Sequence, residues 1–241
     1  GLKQAQLTLF AGSEKTDSYT GRKNAYSEIV QAIEILLENE ISPRIQVFVN
    51  KDTIDELPCI ESLLQSLHLE ERCKSFGGEF SFFLHQGSCD GENEKLYDIR
   101  VTPEDLEKIP QKLVEYTLKH FNETKIENVF GKTEQALYEE LIHDHSTASY
   151  VSETPVFYID KDFSVYPNIT APAPAWFLGN LKTEGIETIL KNYTESKSVA
   201  QAMRLTVPLC DIVASQGDCQ SQRLFDKGDY IDYLTNKYCR K

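Results

Sequence analysis

QLTLFAGSEKTDSYTGRKNAYSEIVQAIEILLENEISPRIQVFVN, from Gln6 to Asn50, reads as strand, loop, helix, strand. Gln6 to Phe10 is a short β-prone run, and SEKTDSYTGRKN is a polar loop. Ala25 to Asn39 carries apolar residues at Ile29, Ile33, Leu36 and Leu37 on a helical period. Arg44 to Asn50 is a second β-branched run, entered after Pro43 has forbidden the helix to continue. A helix joining two strands in this way makes a right-handed crossover and hence a parallel sheet. Ligands of such sheets gather at the carboxyl ends of the strands, here around Phe10 to Gly12 and Asn50 to Thr53.

The alternation continues downstream. Asp52 to Leu67 predicts a second covering helix with Ile60, Leu63, Leu64 and Leu67 on one face and a bend or delay at Pro58. A Gly77-Gly78 turn leads into Glu79 to His85, a third β-prone run, so the unit is β-α-β-α-β, the start of half a barrel or of an open parallel sheet. The third strand ends in a polar loop at the expected ligand-bearing edge. There His85, Cys89 and Asp90 either face a substrate pocket or belong to a plain turn around Gly91. The Asp90, Glu92 and Glu94 alternation lacks the ligand order of a calcium loop.

Thr102 as cap, Pro103 at the first position and Glu104 and Asp105 in the first turn announce a further helix, running towards His120 with an interruption near Pro110. Thr133 to Ser146 predicts an amphipathic helix with Leu137, Leu141 and Ile142 inward and His143, Asp144 and His145 in its last turn. Residues two apart do not share a helix face, which argues against a two-histidine metal site; histidines there also meet the negative end of the dipole. Pro155 to Asn168 reads as a β-hairpin turning at Asp160 to Asp162, followed by a Pro-rich loop holding Trp176. Helices are predicted at Glu184 to Asn192, Ser198 to Arg204 and Asp226 to Tyr238. A composition break near Glu153 divides the expected α/β chain into a partial parallel (β/α) barrel, 1–152, and a small β-hairpin plus helices module, 153–241.

The 241 residues are 40% hydrophobic and 26% charged, ample for one large domain and an appendage. Lys and Arg number 25 against 38 Asp and Glu, a net charge of −13, and the acid is scattered. Nucleic acid and anionic membranes both need a basic surface, so the balance argues against either as a partner. No stretch approaches the roughly 18 consecutive apolar residues of a membrane helix, and no signal segment opens the chain. Cys59, Cys73, Cys89, Cys210, Cys219 and Cys239 show no CxxC pair, which reads as free thiols in a cytoplasmic protein; a cluster from Cys210, Cys219 and Cys239 is the alternative. The sequons at Asn122, Asn168 and Asn192 would matter only in a secreted protein. The chain begins at Gly1 and its one methionine is Met203, so it reads as a processed chain or a piece of a longer one.

Together, Gln6 to Leu57 resembles the second half of a radical SAM core, with Thr8 at a strand serine position, Asp17, Thr20 and Gly21 matching the following loop, and Asn50 at the next strand end. VFYIDKDFSVYPN and LGNLKTEGIETIL resemble the opening of the SPASM-type extension found in peptide-modifying members. The resemblance covers about two thirds of the chain, and the VYP hairpin followed by LGNL is its more specific half.

That resemblance implies S-adenosylmethionine and a [4Fe-4S] cluster as cofactors of the intact enzyme, with a peptide as substrate. It implies that Thr8 and Asn50 sit near the ribose or methionine part of S-adenosylmethionine, with Gln46 pointing to the same lumen. The chain departs from the family where the cluster is concerned: no Cys-x3-Cys-x2-Cys triad occurs, and Asn168 and Glu184 stand where the extension's first two cluster cysteines belong. A cluster iron needs thiolate ligands, so no stably bound cofactor and no turnover are expected of this chain alone. The N-terminal portion of the same enzyme, carrying the triad, is the expected partner. The alternative is a degenerate relative that survives as a binding or scaffold protein. An unrelated hydrolase or transferase finds no G-x-S-x-G elbow, P-loop or G-x-G-x-x-G in support.

Overall fold

The computed structural model describes residues 1–167 and 172–240, and these form two compact units. The first comprises Gly1–Gly87 and Ile99–Gly131; the second comprises Ser88–Asp98 and the chain from Lys132 onward. The composition break at Glu153 therefore falls inside the second unit, and Asn168 lies outside the described residues. Among the described residues no helix is long and apolar enough to cross a membrane.

The first unit is built as β1 (Gln4–Leu9), α1 (Ser13–Thr20), α2 (Ala25–Glu38), β2 (Ser42–Phe48), α3 (Leu57–Ser66), α4 (Leu69–Ser75), β3 (Ser81–His85), α5 (Pro103–Leu106), α6 (Gln111–Phe121) and α7 (Ile126–Phe130). Its strands form a parallel sheet in the order β1-β2-β3, with Thr8 beside Gln46, Gln46 beside Phe83 and Phe48 beside His85. Period-two alternation sorts the strands: Ile45, Val47 and Val49 are fully buried, while Arg44, Gln46 and Phe48 are only half-buried on the other face. α2, burying Ile33 and Leu37, packs on β1 and β2.

This is a mixed α/β unit with three parallel strands, and three strands do not close a barrel. The sheet stops at β3 because α6 lies along its outer edge. The Leu84 N–H, which a fourth strand would have taken, donates to Thr117 Oγ1 of α6 at 3.1 Å, and Thr117 is fully buried.

Two helices of the first unit depart from the expected pattern. The polar loop after β1 is instead the helix α1, which buries only Thr16 and so shows no apolar period. It is held by hydrogen bonds: the Thr16 hydroxyl donates to Ala11 O at 2.9 Å and accepts from Ala11 N at 3.2 Å. Gly21, at φ +65°, then ends it in the left-handed conformation. α4 was not anticipated; it starts after His68 at φ +49° and buries Leu69 and Cys73, four residues apart.

Thr102 and Pro110 act as expected. The Asp105 carboxylate accepts from Thr102 N at 3.0 Å and Thr102 Oγ1 at 2.9 Å. Burial raises its pKa, but these bonds and Lys108 outweigh that and hold it below the usual carboxylate value. Thr102→Ala is expected to cost about 1 kcal/mol, the usual loss of a helix cap, measured by urea unfolding followed by circular dichroism. An unchanged midpoint would show that the Asp105 bond to the backbone suffices.

The second unit contains β4 (Lys132–Thr133), α8 (Glu134–Leu141), β5 (Phe157–Ile159), β6 (Ser164–Pro167), β7 (Gly179–Asn180), α9 (Ile186–Thr194), α10 (Val199–Thr206), α11 (Leu209–Gln216), β8 (Leu224–Phe225) and α12 (Lys227–Cys239). The hairpin forms as β5 and β6, and β7 completes a three-stranded antiparallel sheet. Thr133, Ser198 and Asp226 cap α8, α10 and α12 through their side chains. α8 ends at Leu141 rather than Ser146, so His143, Asp144 and His145 lie beyond the helix. There Asp144 O and Ser146 O accept the N–H groups of Cys210 and Leu209. The main core joins α8, α11 and α12 through Leu137, Leu141, Ile212, Val213, Phe225 and Leu234.

Candidate functional site

The face of the parallel sheet opposite Ile45, Val47 and Val49 is layered from polar to aromatic towards the strand carboxyl ends. Gln46 Oε1 accepts from Gln6 Nε2 at 2.7 Å and from Thr8 Oγ1 at 3.3 Å, so two of the expected residues meet directly. One layer up, Phe10 stacks on Phe48 (centroids 5.5 Å, 16°), and Phe48 meets His85 edge-on at 5.4 Å. Tyr19 of α1 stacks on Phe10 at 5.3 Å and 5°, extending the aromatic row beyond the sheet.

Asn50, just past β2, is 9% exposed and organises the next layer. Its Oδ1 accepts from Asp52 N at 2.9 Å and Thr53 N at 3.1 Å, an Asx-type turn, while its Nδ2 donates to the Tyr19 hydroxyl at 3.1 Å. Tyr19 in turn donates to Asp52 Oδ2 at 3.3 Å. Burial raises the pKa of the Tyr19 hydroxyl; Asn50 opposes that shift and Asp52 adds to it, so the phenol stays a donor at neutral pH. Lys15 donates to Asp52 O and pairs with Glu56 at 3.2 Å, and Glu56 Oε2 accepts the Gly12 N–H at 2.8 Å. A Cβ at Gly12 would lie 2.8 Å from that carboxylate oxygen, so a larger residue would make Glu56 shift.

Amide, phenol and carboxylate groups beside a row of ring faces suit a ligand with a flat base and vicinal hydroxyls. Of these residues, sequence reasoning named Thr8, Gln46 and Asn50 through the resemblance and Asp52 only within the stretch Asn50 to Thr53; it did not name Tyr19, Lys15 or Glu56. Tyr19 and Lys15 lie on α1, the helix without an apolar period. Asp17, Thr20 and Gly21 are structural: the Asp17 carboxylate accepts from Asn24 N and Tyr26 N, and Thr20 bonds to Thr16 O.

His85, Cys89 and Asp90 do not belong to one unit. His85 is half-buried at the end of β3, whereas Cys89 is fully buried in the second unit's main core and Asp90 is 5% exposed in that unit. A buried thiol in an apolar core is a packing group rather than a surface for substrate.

Among the described residues no cysteine forms a disulfide. Among the described residues no three His, Cys, Asp or Glu side chains come together to hold a metal ion, which removes the Cys210, Cys219 and Cys239 alternative. Cys210 instead lies 3.3 Å from His145 Nδ1. Glu184, at the expected second cluster position, packs against Gly179, where a Cβ would come within 2.7 Å of its carboxylate.

No protein-family model matches the chain, and no curated protein matches it. Solved structures similar to it include two of anSMEcpe. Hexahistidine-tagged anSMEcpe with bound AdoMet aligns at 16% identity and TM-score 0.44 over 98% of this chain and 64% of that one. Native anSMEcpe with bound AdoMet aligns at 15% identity and TM-score 0.44 over 98% of this chain and 67% of that one. This chain thus spans about two thirds of their length.

Proposed function

We propose that the carboxyl end of the β1-β2-β3 sheet is a binding surface for S-adenosylmethionine, and that the chain is part of a peptide-modifying radical SAM enzyme. The observation that carries the reading is the convergence of Asn50, Tyr19 and Asp52 at the end of β2, beside the Phe10, Phe48 and His85 rings. Adenine has a π face to stack, and the ribose hydroxyls need acceptors such as Asp52. The partial barrel with a SPASM-like extension is part of the same proposal, as are the roles of Thr8 and Gln46.

A [4Fe-4S] cluster does not fit the described residues, because a cluster iron needs thiolates and no three ligating side chains meet. No step is therefore routed through it, and the function proposed for this chain by itself is binding. The same observation favours, as second reading, a cluster-free relative that holds a peptide without modifying it.

Equilibrium dialysis with labelled S-adenosylmethionine tests the reading. Saturable binding is expected, weakened about tenfold by Tyr19→Phe, which removes one hydroxyl worth about 1.4 kcal/mol and leaves the Asn50 turn intact. Asn50→Ala is expected to weaken it further. No saturable binding, or equal binding by the Tyr19→Phe protein, would sink the assignment. Peptide binding without nucleoside binding would support the second reading.

A further inference from the structure

We propose that Ser81 and His120 form a nucleophile and base pair serving a second, separate pocket of the first unit, with short-chain carboxylic esters as its substrate class. Ser81 opens β3, and its Oγ lies 2.9 Å from His120 Nδ1 in the last turn of α6. The two meet because α6 seals the β3 edge through Thr117, and His120, three residues later, falls on the same helix face.

The imidazole is clamped without spending either nitrogen on the packing. It stacks on Phe83 at 4.2 Å and 9° and meets Phe121 edge-on at 4.8 Å. Burial, and then the Arg44 guanidinium nearby, lower its pKa below the ordinary 6.5, so at neutral pH the ring is uncharged and can accept a proton. With the remaining proton on Nε2, Nδ1 accepts from the Ser81 hydroxyl.

Arg44 is the cross-strand neighbour of Ser81, and its Nε is buried with no hydrogen-bond partner among the described residues. A cavity of about 240 Å³ opens beside Ser81 and His120, and its walls include Phe80, Tyr116, Glu79 and Lys119. Its aromatic walls suit a short acyl chain. It lies towards the amino end of β3, four residues or about 13 Å from His85 at the other end.

The chemistry balances with water as the co-reactant. Ser81 Oγ attacks the ester carbonyl carbon while its proton passes to His120 Nδ1 and the carbonyl π electrons move onto its oxygen. Collapse breaks the bond to the alcohol, which leaves with the proton from His120. Water, deprotonated by the same nitrogen, then cleaves the acyl-serine to the free acid.

The test uses the whole chain with 4-nitrophenyl acetate and, separately, a fluorophosphonate probe whose fluoride is displaced by the serine oxygen. The expected result is a single covalent adduct, mapped to Ser81 by peptide mass spectrometry, and hydrolysis whose acidic limb has its midpoint below pH 6.5. Ser81→Ala, a small change on a strand, is expected to remove the adduct and lower hydrolysis at least about 100-fold; His120→Gln should slow adduct formation similarly. An adduct elsewhere, no adduct on the folded wild type, or undiminished hydrolysis by Ser81→Ala would overturn the proposal. None of these outcomes depends on S-adenosylmethionine binding.

Discussion

Trp176→Ala is expected to destabilise the second unit by about 3–5 kcal/mol, the cost of emptying a large buried aromatic site. Trp176 is fully buried in the 3₁₀ turn Pro174–Trp176, packed with Ala173 and Ala200, and its ring lies 4.6 Å from that of Tyr150. The two alanines are too small to collapse into the space, so most of the cavity persists. A domain's whole stability is about 5–15 kcal/mol, so the variant should be marginally folded. Trp176→Phe should lose much less. It keeps most of the ring contact and deletes the indole N–H, which has no partner among the described residues and whose burial costs about 1–3 kcal/mol. Urea titrations followed by circular dichroism measure both variants. A loss under about 1 kcal/mol for the alanine variant would mean that the turn repacks around the gap.

Stability should fall as pH rises towards neutrality, and Asp232 should carry much of the fall. Its carboxyl faces the Arg204 guanidinium, with only 8% of the arginine and 18% of the aspartate side chain exposed. Burial pushes the Asp232 pKa up to about 7; Arg204 opposes the shift, while Asp90 and Asp229 add to it. The unfolded value is about 3.9, so between these pH values the native state holds a proton that the unfolded chain has released. The contribution is fully present below about pH 4 and is lost as pH rises through about 7, at no more than about 1.4 kcal/mol per pH unit. The remaining exposure of the pair makes that slope an upper bound.

Asp232→Asn stays neutral throughout. Its stability relative to wild type should therefore grow from pH 5 to pH 7 and then level off. Urea titrations at pH 5, 6, 7 and 8 measure the difference, in which the other titrating groups cancel. A flat difference would mean that Arg204 holds Asp232 ionised across the whole range.

The parts of the fold that sequence reasoning reached rest on short-range physics. β2 and α2 were legible because Ile45, Val47 and Val49 alternate and Ile33 and Leu37 fall on one helical face. The start of α5, the break at Pro110 and the helix starts at Thr133, Ser198 and Asp226 were legible because start and stop signals act within one helical turn. α1 was not, because it rests on Thr16 reaching back to Ala11 rather than on an apolar stripe. The end of α8 was not, because the carbonyls of Asp144 and Ser146 are taken by the N–H groups of Cys210 and Leu209, far along the chain.

The candidate site divides in the same way. Periodicity and the crossover rule alone placed Asn50 at the carboxyl end of a parallel strand, and Thr8 and Gln46 on neighbouring strands. That Tyr19 completes the site, that Cys89 is core, and that Ser81 meets His120 were decided by tertiary structure. Those contacts join residues dozens of positions apart, and their free energy depends on burial and distance in three dimensions, which no local pattern encodes.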